Sequence, residues 1–431
     1  MANSAYTLGR CSCPCDHHRK CGIKVFSKWR RMEMENVCRD QWITLAPVFE
    51  NLAHYNFEDN VILPFIDDKE RFPDEIKKGG YSEVWATRIH PAHQKILQSA
   101  HPRGPLVAIK RLFSREEKDF EQERHMLVSL TRKDHRHLVK LVTTYKFNGH
   151  YHLLCPMAKA NLRDYWKVWK VTQLREKDKS YLWALINIAG IASGLNLIHN
   201  FETLHRAEPD KTNSTISQSR PSWKFRMTLA PSEESFGRHG DLKPENILWV
   251  TDTEGINDAG VLQISDFGLG RFHRFESKSK ADPKNINGSP TYVPPELPLE
   301  RPISREYDIW SLGCIFLEFI TWLLEGQDGL DDFSDARKEK ANDGIEDDTY
   351  YILYNAESGL EGKVREGVTK WMERLRQDHC CSEMILDLLH VVQDRMLIAN
   401  PKDRVKADEL ESLIQNMVRK AKGSTFYLLG Y

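Results

Sequence analysis

The sequence predicts an α+β protein in two lobes: a small antiparallel sheet lobe with one main helix, then a larger, mainly helical lobe. Residues 76–157 read mostly as short β-branched and aromatic runs, at Glu83–Ile89, Leu106–Leu112, Leu138–Phe147 and Tyr151–Leu154, interrupted by one helical segment, Arg115–Thr131. Beyond residue 160 helical periods dominate, at 180–199, 305–324, 382–397 and 405–420, with strand-like runs 245–250 and 261–265 between them. The length of 431 residues, 40% hydrophobic and 29% charged, supports a sizeable core and excludes a disordered or fibrous chain.

Ahead of the sheet lobe, residues 1 to about 40 are basic and Cys-rich without a sustained period, and read as a tail. Trp42, Leu45, Val48, Phe49, Leu52 and Tyr55 then recur at helical spacing, which predicts a docked helix over 41–66. The domain division is therefore 1–66 as an N-terminal extension, 72–157 as the small lobe and 158–420 as the large lobe. Two insertions interrupt the large lobe. Residues 202–236 are rich in Ser, Thr, Pro and basic residues, and read as an excursion. Glu325–Asp348 holds ten acidic residues against three basic ones, and reads as a solvated loop or as a docking surface for basic partners.

Sixty-one basic residues against 62 acidic ones supply no overall field for nucleic acid or an anionic membrane, so neither is expected as a partner. Tyr181–His199 lacks Asp, Glu, Lys and Arg over about the length of a span, but it contains Asn187, Asn196 and two glycines and leads into a polar loop. It is expected to be a buried helix, with no membrane span in the chain. The nine cysteines are odd in number and clumped, which argues against a secreted disulfide framework and predicts an intracellular, cytoplasmic location. Cys11, Cys13, Cys15, His17, His18 and Cys21 leave three readings open: a metal site, palmitoylation, or a plain tail.

The chemistry-bearing residues begin with Gly79-Gly80 in a turn and Lys110 on a strand, in Val107-Ala108-Ile109-Lys110. Glycines let backbone N–H groups approach phosphate oxygens, and the ammonium adds a point charge. His239-Gly240-Asp241-Leu242-Lys243-Pro244-Glu245-Asn246 follows, and 25 residues after Asp241 comes Asp266-Phe267-Gly268. Pro294-Pro295-Glu296, Asp308-Ile309-Trp310-Ser311-Leu312-Gly313 and Arg404 complete the series. In this order the motifs resemble the eukaryotic protein kinase family over roughly residues 72 to 415. A Gln41-Trp42 to Phe49 segment further resembles a group of filamentous-fungal kinases.

The resemblance implies a bilobal protein kinase fold and transfer of the γ-phosphoryl group of ATP to Ser or Thr of protein substrates, with Mg2+ as cofactor. It implies that Lys110 pairs the α- and β-phosphates, held by Glu123. Asn246 and Asp266 hold magnesium, Asp241 accepts or orients the acceptor hydroxyl proton, and Lys243 reaches the γ-phosphate. Gly79 and Gly80 would cover the phosphates. The adenine slot would comprise Val84, Ala108 and Leu248, with Leu154 as gatekeeper and Cys155 to Met157 as hinge. Leu127, Leu141, His239 and Phe267 would form an internal column anchored on Asp308, and Arg404 would pair with Glu296.

The departures matter. Lys77 and Ser82 replace two glycines of the loop, and Gly240 replaces the arginine that clamps a phosphorylated activation segment in many family members. Activity is therefore expected not to depend on phosphorylation of Ser277, Ser279, Ser289 or Thr291. A second reading, opened by the altered glycine turn, is a pseudokinase scaffold.

Overall fold

The computed structural model describes residues 30, 32, 33, 36, 46–66, 77–79, 82–97, 99, 101–168, 177–201, 237–251, 260–267, 290–340, 346–357 and 359–430. The chain divides into two compact units. The first comprises the described residues as far as Lys77, with Glu83–Arg115 and Val142–Leu154, and the second comprises Lys78–Ser82, Glu116–Leu141 and the described residues from Cys155 onward.

A seven-stranded sheet organises the first unit: β1 (His54–Asn56), β2 (Phe65–Ile66), β3 (Lys77–Lys78), β4 (Ser82–Ile89), β5 (Leu106–Leu112), β6 (Thr143–Phe147) and β7 (His150–Pro156). Its order is β1-β6-β7-β5-β4-β2, with β3 pairing β4. Asn148 and Gly149, both at positive φ (49 and 72), make the tight turn that joins β6 to β7 antiparallel. Phe49, Ile89, Val107, Ile109, Val142, Tyr145 and Leu154 form the buried core.

Within its described part, 46–66, the segment expected as a docked helix is instead extended and belongs to the sheet. Strand β1 pairs parallel with β6, Tyr55 opposite Tyr145, and β2 pairs antiparallel with β4, Phe65 opposite Ile89. Pro47 and Pro64 bracket the segment, and Leu52 sits at φ 56, which a helix cannot accommodate. Its apolar residues serve an aromatic cluster instead. Phe49 stacks on Phe65 with ring centroids 5.7 Å apart and meets Tyr55 edge-on at 5.7 Å. Trp42 and Leu45, like the Cys/His cluster and the 202–236 excursion, lie outside the described residues.

The second unit holds α1 (Glu117–Arg132), β8 (Ala160–Asn161), α2 (Leu162–Val168), α3 (Lys177–His199), β9 (Ile247–Val250) and β10 (Val261–Ile264). Then follow α4 (Glu306–Arg337), β11 (Glu339–Lys340), β12 (Glu346–Asp347) and the hairpin β13 (Tyr351–Ala356)–β14 (Gly359–Val364). Helices α5 (Glu366–Arg376), α6 (Glu383–Val391), α7 (Ala407–Gly423) and α8 (Thr425–Leu429) complete it. Helix α3 packs against α7 and β10. By length and composition Lys179–His199 and Glu306–Arg337 could each cross a membrane, yet both are mostly buried inside the fold.

In its described residues, 325–340 and 346–348, the acidic segment is not a plain loop. Helix α4 continues to Arg337 through a break at Gly326 (φ 75, ψ −156), and the β11–β12 pair follows. The physical reason is amphipathicity that a charge count hides. Phe333 is fully buried against Trp371, with rings stacked at 5.1 Å, while Asp331, Asp332 and Asp335 face away from the core.

Two buried histidines contribute to the acid response of the fold. His137 fits against α3 only because Gly190 has no side chain, since a Cβ there would lie 2.1 Å from the ring nitrogen. Its Nδ1 hydrogen-bonds the Leu262 carbonyl at 2.8 Å. Burial pulls the ring from 6.5 to about 4, against the opposing pull of that carbonyl. His152, stacked on Tyr145 at 4.4 Å, is pulled to about 4 by burial and the nearby Arg111. Both are neutral when folded, so the unfolded chain binds more protons once pH falls below 6.5. Stability measured by urea unfolding is expected to decline from pH 6.5 towards 4, by up to about 1.4 kcal/mol per pH unit and histidine. His137→Gln should shallow that decline, and an identical slope in the variant would contradict the assignment.

Candidate active site

The loop from Gly237 to Asn246 lies between the end of α3 and β9, and an aspartate on α4 holds its backbone. Asp308, in the first turn of that helix and fully buried, accepts from the His239 amide at 2.8 Å and the Gly240 amide at 2.7 Å. His199, at the end of α3, contacts the same carboxylate through Nε2 at 3.0 Å. Burial works against ionisation of Asp308, but the His199 hydrogen bond and charge, His239 and the Gly240 amide hold the carboxyl below its ordinary value. Gly240 adopts φ 73, where a side chain is strained, so glycine suits this backbone.

The loop presents Asp241, which is partly exposed. Lys243 Nζ donates to its Oδ2 at 3.0 Å. The Asn246 amide nitrogen donates to the Asp241 carbonyl at 2.8 Å and to Oδ2 at 3.1 Å. Pro244–Asn246 forms a 3-10 turn that places Lys243 and Asn246 on the same carboxylate. Asp266 is brought to this group by its neighbour: Ser265 donates to the Asn246 carbonyl from its amide at 2.9 Å and its hydroxyl at 3.0 Å. His239 Nε2 donates to the Ser265 carbonyl at 2.8 Å, which leaves Nδ1 as the acceptor for the Asp241 amide at 3.3 Å. The Phe267 ring meets His239 at 5.8 Å. Asp266 itself sits at φ 61, an unusual backbone for a non-glycine residue.

The donor set fits a hard divalent cation. The Asn246 amide nitrogen is committed to Asp241, so its carbonyl oxygen is the atom open to a ligand, and Asp266 adds a carboxylate.

The remaining expected residues are placed as follows. Val84 is half-buried on β4, Ala108 and Lys110 are half-buried on β5, and Leu154 is fully buried in the first unit's core. Gly79 is exposed and its amide donates to the Ser82 carbonyl at 2.8 Å, while Gly80 lies outside the described residues. Glu123 is buried on α1; Cys155 and Met157, and Leu248 on β9, are half-buried. Leu127 and Leu141 are buried in the second unit. Of the four activation-segment hydroxyls only Thr291 is described, and it is buried and donates to both oxygens of Asp348 at 2.8 and 2.9 Å.

Sequence reasoning missed Ser265 and His199. The serine directly precedes Asp266, a detectable position, whereas His199 ends a helix with no local signature.

Residues 235–416 match a family model described as the protein kinase domain. The chain is 38% identical over 98 residues to GLH-binding kinase 1 of Caenorhabditis elegans, covering 22% of this chain and 23% of that protein. It is 39% identical over 85 residues to the putative 3-phosphoinositide-dependent protein kinase 2 of Homo sapiens, covering 20% and 19% respectively. A G-type lectin S-receptor-like serine/threonine-protein kinase of Arabidopsis thaliana is 23% identical over 372 residues, covering 85% of this chain and 34% of that protein. These matches support the eukaryotic protein kinase family. The chain spans about a third or less of the length of the relatives named.

Below the loop lies a buried ion pair. Arg404 donates to Glu296 through both terminal nitrogens at 2.7 Å, and also to the Ile398 and Glu306 carbonyls at 2.7 and 2.9 Å. Arg404→Met is expected to destabilise the protein by about 3–5 kcal/mol in denaturant unfolding, because it strands the buried Glu296 carboxylate. Adding Glu296→Leu should restore much of that loss, and a single variant as stable as wild type would contradict the role.

Proposed function

We propose that this chain is a protein serine/threonine kinase that transfers the γ-phosphoryl group of ATP to hydroxyls of protein substrates. The observation that carries the reading is the Asp241 carboxylate, partly exposed and held by Lys243 and Asn246. Phosphoryl transfer needs positioning and charge neutralisation more than covalent help. The acceptor hydroxyl is oriented by Asp241, which takes its proton as the oxygen–phosphorus bond forms and the bond to the departing ADP oxygen breaks. Lys243 stabilises charge on the transferred group from the same side. Asn246 and Asp266 would hold Mg2+, which when bound neutralises phosphate charge. The roles of Lys110, Glu123 and the adenine-slot residues are carried over from the family resemblance, as is the preference for Ser and Thr that goes with lysine at position 243. An intracellular, cytoplasmic location belongs to the same proposal and is supported by the clumped, odd set of nine cysteines.

The pseudokinase reading is favoured by one feature, the replacement of two loop glycines by Lys77 and Ser82. One assay separates the two: phosphate incorporation from labelled ATP with magnesium into a generic acceptor, followed by phosphoamino-acid analysis. Wild type should yield phosphoserine and phosphothreonine, and Asp241→Asn should lower the rate by about 10²–10⁴. Equal background from both proteins would overturn catalysis, and phosphotyrosine as the main product would overturn the acceptor class.

A further inference from the structure

The turn between α5 and α6 gathers side chains of three different metal-ligand types. Asp378, His379 and Cys380 follow one another there, and a carboxylate oxygen, an imidazole nitrogen and the cysteine sulfur all lie within 4.8 Å of one another. The backbone fixes this arrangement. The Asp378 amide donates to the Leu375 carbonyl at 3.2 Å and the Cys381 amide to the Asp378 carbonyl at 2.9 Å, which closes a tight turn around His379 and Cys380. Asp378 Oδ1 accepts from the Cys380 amide at 2.7 Å, and His379 Nδ1 lies 3.6 Å from the same oxygen. Ser382 caps α6 immediately afterwards, its hydroxyl accepting from the Ile385 amide at 3.4 Å.

The core does not account for these three side chains. Asp378 and Cys380 are half-buried, and the His379 side chain is 91% exposed. The two arginines in the last turn of α5 are directed elsewhere, Arg374 to Glu325 at 3.0 Å and Arg376 to Gln393 at 2.7 Å. The Asp378 carboxylate stands outside both of those pairs.

The donor types select the ion. A thiolate and an imidazole favour a borderline-soft divalent cation over magnesium or calcium, and the carboxylate completes a three-ligand set with a fourth position for water. At ordinary zinc–ligand lengths of about 2.0–2.3 Å, tetrahedral donors stand on the order of 3.5 Å apart, so closure asks for movements of roughly 1 Å. The exposed His379 ring can supply them by rotating in solvent.

We propose that Asp378, His379 and Cys380 form a site for a divalent cation of the zinc class, which ties the turn and fastens α5 to α6. A metal–sulfur bond forms as the Cys380 thiol proton passes to solvent, and nothing is oxidised or reduced. The proposal does not draw on the kinase reading.

The test is a cobalt titration of the full chain, reduced, stripped of metal by a chelator and held in excess Mg2+ to occupy oxygen-ligand sites. Thiolate ligation gives a sulfur-to-cobalt charge-transfer absorption, which zinc then displaces. Cys11, Cys13, Cys15 and Cys21 offer similar chemistry, so they are serine in every protein compared. That reference protein should take up one equivalent of cobalt with the absorption band. Cys380→Ser should lack the band and Cys381→Ser should keep it. His379→Gln and Asp378→Asn, shown folded by circular dichroism, should bind at least about tenfold more weakly. Zinc should raise the melting temperature of the reference protein and not that of Cys380→Ser. No band in the reference protein, an equal band in Cys380→Ser, or undiminished affinity in His379→Gln would overturn the proposal. Absorption and melting are read without turnover, so an inactive chain that binds cobalt here separates failure of the proposed function from failure of this site.

Discussion

Asp308 concentrates the constraints on the candidate site. Its carboxylate is fully buried in the first turn of α4 and accepts from two consecutive backbone amides of the 237–246 loop, with His199 on the same oxygen as His239. Charge-assisted hydrogen bonds of this kind contribute about 1.5–3 kcal/mol each, and a helix N-terminus favours the negative charge. The longest helix of the second unit therefore fixes the loop through its main chain. That leaves the side chains of Asp241, Lys243 and Asn246 available for chemistry.

From that anchor the arrangement propagates by short polar links. His239 is tied by its amide to Asp308 and by its ring to the Ser265 carbonyl, and Ser265 returns two hydrogen bonds to Asn246. The segments bearing Asp241 and Asp266 are thus cross-braced by the fold itself, and the proposed phosphoryl transfer would draw on that preorganisation. Glycine at position 240 fits this loop, since its φ of 73 is strained for other residues. The segment leading to Glu296 is held by groups present in the unmodified chain, Thr291 on Asp348, Tyr292 on Glu318 and Arg404 on Glu296.

Much of the large lobe was legible in the sequence because its signals are local. The helix expected over 180–199 runs Lys177–His199, and the helix expected over 405–420 runs Ala407–Gly423. The spacing Asp241, Lys243, Asn246 marks residues that the structure joins through one carboxylate. Failures came where a local signal had two solutions. Val48, Phe49, Leu52 and Tyr55 fit a helix by spacing, but sheet pairing and the prolines around them decided for extended chain. In Glu325–Asp348 the charge count masked Phe333 and Arg337, which bury one side of α4. His199 was beyond reach for another reason: it acts on Asp308, a partner far along the chain that leaves no spacing to read, whereas Ser265 directly precedes Asp266 and was overlooked.

The hold of Asp308 on the 237–246 loop is tested most directly by amide hydrogen exchange on the full chain, wild type against Asp308→Asn. Asparagine keeps the shape but loses the charge and turns a donor toward an amide that needs an acceptor. Protection in peptides covering residues 237–246 should fall by at least about tenfold, while helices α3 and α7 stay protected. Unchanged protection across that loop in a folded variant would contradict the account.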